Sequence, residues 1–101
     1  MENQVKEVTN QKQTWLDEIR AMEHELDNFA AINGNIASAA PDGEVRKQVE
    51  HFQNLFIVQK GRLDEMKHSV KVFGADPGLD DYKNYFEQLK TEFSNFSSSW
   101  N

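Results

Sequence analysis

His24, His51 and His68 are the three histidines of a 101-residue chain that has no cysteine. Any metal site or nucleophilic chemistry must therefore be built from imidazole, carboxylate and hydroxyl groups. Glu65-Met66-Lys67-His68 has the Glu-x-x-His spacing that puts a carboxylate and an imidazole one helical turn apart, as in carboxylate-bridged di-metal bundles. Such a centre needs inward-facing ligands and a second copy of the motif. Here Met66 takes the inward position, Glu65 and His68 flank it, and the sequence holds no second copy. His24 and His51 lie off the apolar stripes, as do Asp17, Glu18, Glu23, Glu25, Glu50, Asp64, Glu87 and Glu92. Carboxylates on such a face are solvated rather than tuned apart as an acid–base pair. The sequence has no glycine-rich phosphate loop, nucleophile elbow or zinc spacing. These residues predict a non-enzymatic chain with no cofactor, no metal and no small-molecule substrate.

One short segment points elsewhere. His68-Ser69-Val70-Lys71 resembles the His-x-x-Lys core of histidine phosphotransfer domains. The resemblance covers about ten residues and implies a signalling module in which an exposed His68 carries a phosphoryl group and Lys71, one turn away, stabilises its charge. The family follows that lysine with glycine, where this chain has Val72; it has a small residue before the histidine, where this chain has Lys67; and its domain has a fourth core helix. Phosphotransfer through His68 and Lys71 is the alternative to the main functional expectation, which comes from the surface.

Seventeen acidic residues against eleven basic ones leave a net charge of −6. That balance repels nucleic acid and anionic membranes, and the basic residues are interleaved with acids rather than clustered. The longest apolar run, Leu55 to Val58, is far short of the roughly 20 residues that cross a bilayer. The opening Met1-Glu2-Asn3-Gln4 lacks the positive start and apolar stretch of a secretory signal. Together with the absence of cysteine, this predicts a cytoplasmic location and no nucleic-acid or membrane partner.

The elements that must position all of these residues are three apolar stripes with 3,4 spacing. The first contains Val5, Val8, Trp15, Ile19, Met22, Leu26 and Phe29; the second Val45, Val49, Phe52, Phe56, Leu63, Met66, Val70 and Phe73; the third Leu79, Tyr82, Phe86, Leu89, Phe93, Phe96 and Trp100. That period puts each set on one side of an α-helix. Asn33-Gly34-Asn35 is a stop signal, yet Ile36 keeps the rhythm, so the first helix covers about 3–33 or 3–40. Pro41-Asp42-Gly43 breaks the chain, with Asp42 placed to cap a second helix over 43–73. Asp76 as N-cap and Pro77 at the first helical position start a third over 77–97.

Short connections between long helices predict one all-α domain over residues 1–101, a single antiparallel up-down-up three-helix bundle with coiled-coil-like packing. Reflection about Asp76 sets Phe56 opposite Phe96 and leaves the first hairpin tip without a third helix. Ile32, Ile36, Val45 and Val49 at that tip, or Ile57 and Val58 on the outer side of the second helix, are then candidate contact surfaces. The expected role is a small scaffold or adaptor that binds a protein partner through a helical face, or that self-associates as a homodimer. Lys12, on the seam between Val8 and Trp15, is expected to run its stem past the core edge to water, the alternative being register control in an oligomer.

Overall fold

The structure, a computed structural model, describes residues 2–39 and 43–100, with side chains described for 11–39 and 43–99. The expected seam side chains Val5, Val8 and Trp100 and the Asp42 cap lie outside the described residues. The described residues form three helices: α1 (Glu2–Ala39), α2 (Gly43–Phe73) and α3 (Leu79–Trp100). Among the described residues there is no strand. The bundle is a rod of 62 × 20 × 18 Å, its long axis set by the 38 residues of α1 at about 1.5 Å each.

Helix α1 runs through Gly34 without a break. Asn33 and Ile36, on either side of that glycine, are both buried in the hairpin, and the Ser38 hydroxyl donates to the Gly34 carbonyl at 3.1 Å. Burial of these anchors offsets the roughly 1 kcal/mol that a mid-helix glycine costs. Contacts between α1 and α2 link Asn33 with Val49, Asp27 with Lys60 and Glu23 with Lys67, the numbers falling along one helix as they rise along the other. The backbones of these two helices approach most closely, and α3 stands further off. Side-chain size explains this, since α3 meets its neighbours through Tyr82, Phe86, Phe93 and Phe96.

The α2–α3 connection departs from expectation. Helix α2 ends at Gly74, whose N–H donates to the Val70 carbonyl at 3.0 Å and whose φ of 61° is the left-handed C-cap geometry. Asp76 does not cap α3 from the adjacent position. Its Oδ1 accepts from the N–H groups of Gly78 at 2.9 Å and Leu79 at 3.4 Å, while the Gly78 carbonyl receives the first helical bond from Tyr82. Gly78 holds φ at 77°, outside helical geometry, so Pro77 is left in the turn and α3 begins at Leu79 rather than at 77. At its other end α3 continues past Ser97, where the hydroxyls of Ser97 and Ser99 donate back to the carbonyls of Ser94 and Asn95.

Pro77 and Gly78 share a depression with Glu65 and Met66, so residues 74–78 run back along α2. Phe96 stacks on Phe52 with ring centroids 5.2 Å apart, and Phe93 meets Phe56 edge-on at 5.1 Å. This is about one turn, or 6 Å, nearer the α1–α2 hairpin tip than reflection about Asp76 predicts. Reflection assumes a turn of no length; five non-helical residues have length. The tip is consequently covered: Ile36 and Val49 are only 5% and 6% exposed, Val45 is half-buried, and Phe96 packs against them. The uncovered end is the opposite one. Val72 and Phe73 at the end of α2 are exposed, the latter at 73%, because α3 starts too far back to reach them. Lys12 meets the bundle here, its Cε lying 3.6 Å from where a Gly74 Cβ would stand.

The core runs the length of the covered region, from Val70 and Leu79 through Ile19, Leu63 and Leu26 to Phe52 and Phe93. Phe29 joins it half-buried, with its ring 5.4 Å from Phe93 and 6.0 Å from Phe56. Removing any of the fully buried aliphatic residues would cost about 2–5 kcal/mol.

Candidate interaction surface

Among the described residues two amide side chains are buried in this apolar seam, and they define two different environments. Gln59 is 2% exposed and lies between α2 and α3. It completes the 3,4 spacing between Phe56 and Leu63, so the helix has no choice but to turn it inward. Tyr82 donates its hydroxyl proton to Gln59 Oε1 at 3.0 Å, and Gln59 Nε2 donates to the Tyr85 hydroxyl at 3.2 Å. Arg62 covers both rings from outside, its guanidinium carbon 5.4 and 5.7 Å from their centroids. Burial pushes the Tyr82 hydroxyl up to about 12, against the lowering effect of the Arg62 charge.

Asn33 is the second amide, 3% exposed, on the α1 face turned to α2. Its Nδ2 donates to the Val49 carbonyl at 2.9 Å, a bond that fixes which end of the amide points there. The other end, Oδ1, is buried with no hydrogen-bond partner. An orphaned buried acceptor of this kind costs about 1–3 kcal/mol. Asn33 also lines an open groove of about 420 Å³ on the outer side of the α1–α2 hairpin. Ala30, Gly34 and Ala37 from α1 and Gln53 and Ile57 from α2 share that lining. The small residues fall on one face because they recur at intervals of three and four. Nothing lies within 4 Å of the space a Gly34 side chain would take.

A second depression of about 400 Å³, with Glu23, Gly61 and Asp64 in its lining, shares Ile57 and Lys60 with the first. From Ala37 to Glu23 the two together follow α1 for about 21 Å. Ion pairs tie the helices together along this line, Lys60 with Asp27 and Lys67 with Glu23 at 3.2 Å, and Lys67 also pairs with Asp64 of its own helix at 3.5 Å. The hydrogen bond to Asp27 and its negative charge hold the Lys60 ammonium above its ordinary range. On the other side of α1, the hydrogen bond to Glu18 at 2.7 Å does the same for Lys83.

The sequence-derived candidates separate clearly on this frame. Ile36 and Val49 are core residues of the hairpin tip, and Val45 is half-buried beside them, so the exposed tip surface expected from the sequence is not there. Ile32 is marginally exposed at 38%, while Ile57 and Val58 are exposed at 64% and 57%. Ile57 forms a wall of the groove; Val58 lines neither depression. Asn33 and Gln59 were absent from the apolar stripes because a stripe counts apolar residues only. The signal that finds them is the gap each one fills, at the missing turn between Phe29 and Ile36 and between Phe56 and Leu63.

His68 and Lys71 are both exposed on α2 and line none of the depressions described. Among the described residues no group of three histidine, aspartate or glutamate side chains is placed to hold a metal ion. Among them, too, no helix is long and apolar enough to cross a membrane. Comparison with known protein families, curated proteins and solved structures finds no match to this chain.

Proposed function

We propose that this chain is a non-enzymatic interaction module, a small cytoplasmic scaffold or adaptor that receives a protein partner on the outer side of the α1–α2 hairpin. The observation that carries this reading is the groove beside Asn33, where a small-residue floor lies open next to a buried acceptor lacking a donor. A partner helix supplies what the groove lacks: apolar volume over Ala30, Gly34 and Ala37. The acidic surface and the interleaved charges favour protein over nucleic acid or membrane as the partner.

The test is retention of a binding protein, this chain itself included, by wild type and by Gly34→Leu, which fills the groove. Val72→Asp and His68→Gln serve as surface controls. Loss of retention with Gly34→Leu alone is the expected result. Equal retention by all four proteins, or loss with His68→Gln, would remove the groove from the function.

A further inference from the structure

The hairpin face that carries the groove also carries the side chain that would fill it. Ile57 is 64% exposed on the groove wall, beside a floor made by Ala30, Gly34 and Ala37. A knob and a shallow hole next to each other on one surface are self-complementary under a two-fold rotation, the symmetry most small homo-oligomers use. We propose that a second copy of this chain occupies the groove, with Ile57 of each copy seated over Gly34 of the other. This rests on the interaction reading above and names its partner.

Two further observations favour a second copy over an unrelated helix. The first is the polar match at the rim. Gln53 lies one turn before Ile57 on the same side of α2 and lines the same groove, so any copy that inserts Ile57 brings a carboxamide to the groove in which Asn33 lies. The second is charge. The chain as a whole carries −6, but the ion pairs along this face set Glu23, Asp27 and Asp64 against Lys60 and Lys67, and the exposed Arg46 and Glu50, on the same side of α2 as Gln53, add one charge of each sign. A face so nearly neutralised can meet its own copy without the repulsion that the rest of the surface would impose. The same neutrality gives a strongly charged partner helix little to recognise.

Light scattering and sedimentation of the full chain over a wide concentration range read the assembly directly. The expected species is twice the 11.7 kDa chain mass, with the dimer dissociation constant raised at least tenfold by Ile57→Asp and by Gly34→Leu and left unchanged by Val58→Asp. Ile57 is exposed and Gly34 faces open space, so these variants keep the helical signal and melting behaviour of a folded monomer. The lack of native cysteine allows a second readout: a Gly34→Cys copy mixed with an Ile57→Cys copy should form a mixed disulfide in preference to either self-disulfide. A monomer at all concentrations overturns the proposal, as does a dimer that survives both groove substitutions. Groove-dependent binding of a different protein by a monomeric chain would overturn self-association while leaving the interaction reading in place.

Discussion

Gln59 and Asn33 are both amides buried in an apolar seam, and their surroundings differ in one respect. Helix α3 lies over Gln59 and brings two tyrosine hydroxyls to it, so oxygen and nitrogen are both bonded. No third helix lines the groove beside Asn33, and its oxygen is left without a donor. A buried amide therefore has both of its polar ends bonded in the first place and only one in the second. Burial alone does not distinguish them. The distinction lies in whether the neighbouring element carries the complementary group.

The same substitution at the two sites breaks this comparison most severely. Gln59→Leu keeps the volume but leaves the Tyr82 hydroxyl, on a residue 5% exposed, without its acceptor. Chemical denaturation should show a loss of about 2–3 kcal/mol. Asn33→Leu removes one hydrogen bond and one orphaned oxygen together and gains apolar area, so its stability should stay within about 1 kcal/mol of wild type. Equal losses at both sites would mean that Asn33 is as fully satisfied as Gln59.

Alkaline titration sharpens the contrast on the α3 side. The Tyr82 hydroxyl is raised to about 12 in the folded chain from an ordinary value of 10.0, so the unfolded chain ionises first as pH rises. Stability from this group is complete below pH 10 and falls between pH 10 and 12, by about 2–3 kcal/mol if the whole shift is realised. Lys60 and Lys83 act in the same direction, since each is held above its ordinary value by a carboxylate partner and loses that attraction on deprotonation. Tyr82→Phe should flatten the alkaline decline while lowering stability at neutral pH by about 1–2 kcal/mol. An unchanged alkaline slope would assign the decline to the lysines instead.

The smallest expected effect belongs to Gly34→Ala. The glycine sits mid-helix with open space where a Cβ would go, so the substitution should stabilise the monomer by up to about 1 kcal/mol. A thermal melt measures it. Destabilisation would show that the α1–α2 approach at that point is tighter than the groove implies.

Much of the fold could be read from the stripes. Ile19, Leu26, Phe52, Leu63, Phe86 and Phe93 all fall in the buried core, because a 3,4 period leaves an amphipathic helix only one side to bury. The outward position of His68 and Glu65 follows from the same period. The site was less legible. Ile57 was visible as an apolar residue off the seam, but Asn33, Gly34 and Ala37 were not, since a small or polar residue gives no hydrophobic signal of its own. The register of α3 was also beyond the stripes: Phe73 belongs to the α2 pattern and is exposed, while Ile36 and Val49, expected at a bare tip, are covered.

What the sequence determined by itself is local: three helices, their inward sides, the break at Gly74 and the charge balance of the surface. Each depends on backbone preference and side-chain periodicity within a few residues. The tertiary structure alone decided how far α3 reaches along the hairpin, because that depends on the path of residues 74–78, which brings Pro77 and Gly78 back beside Glu65 and Met66. It also decided which buried amide has its donors and which does not, since those donors come from a different helix whose position no local pattern encodes.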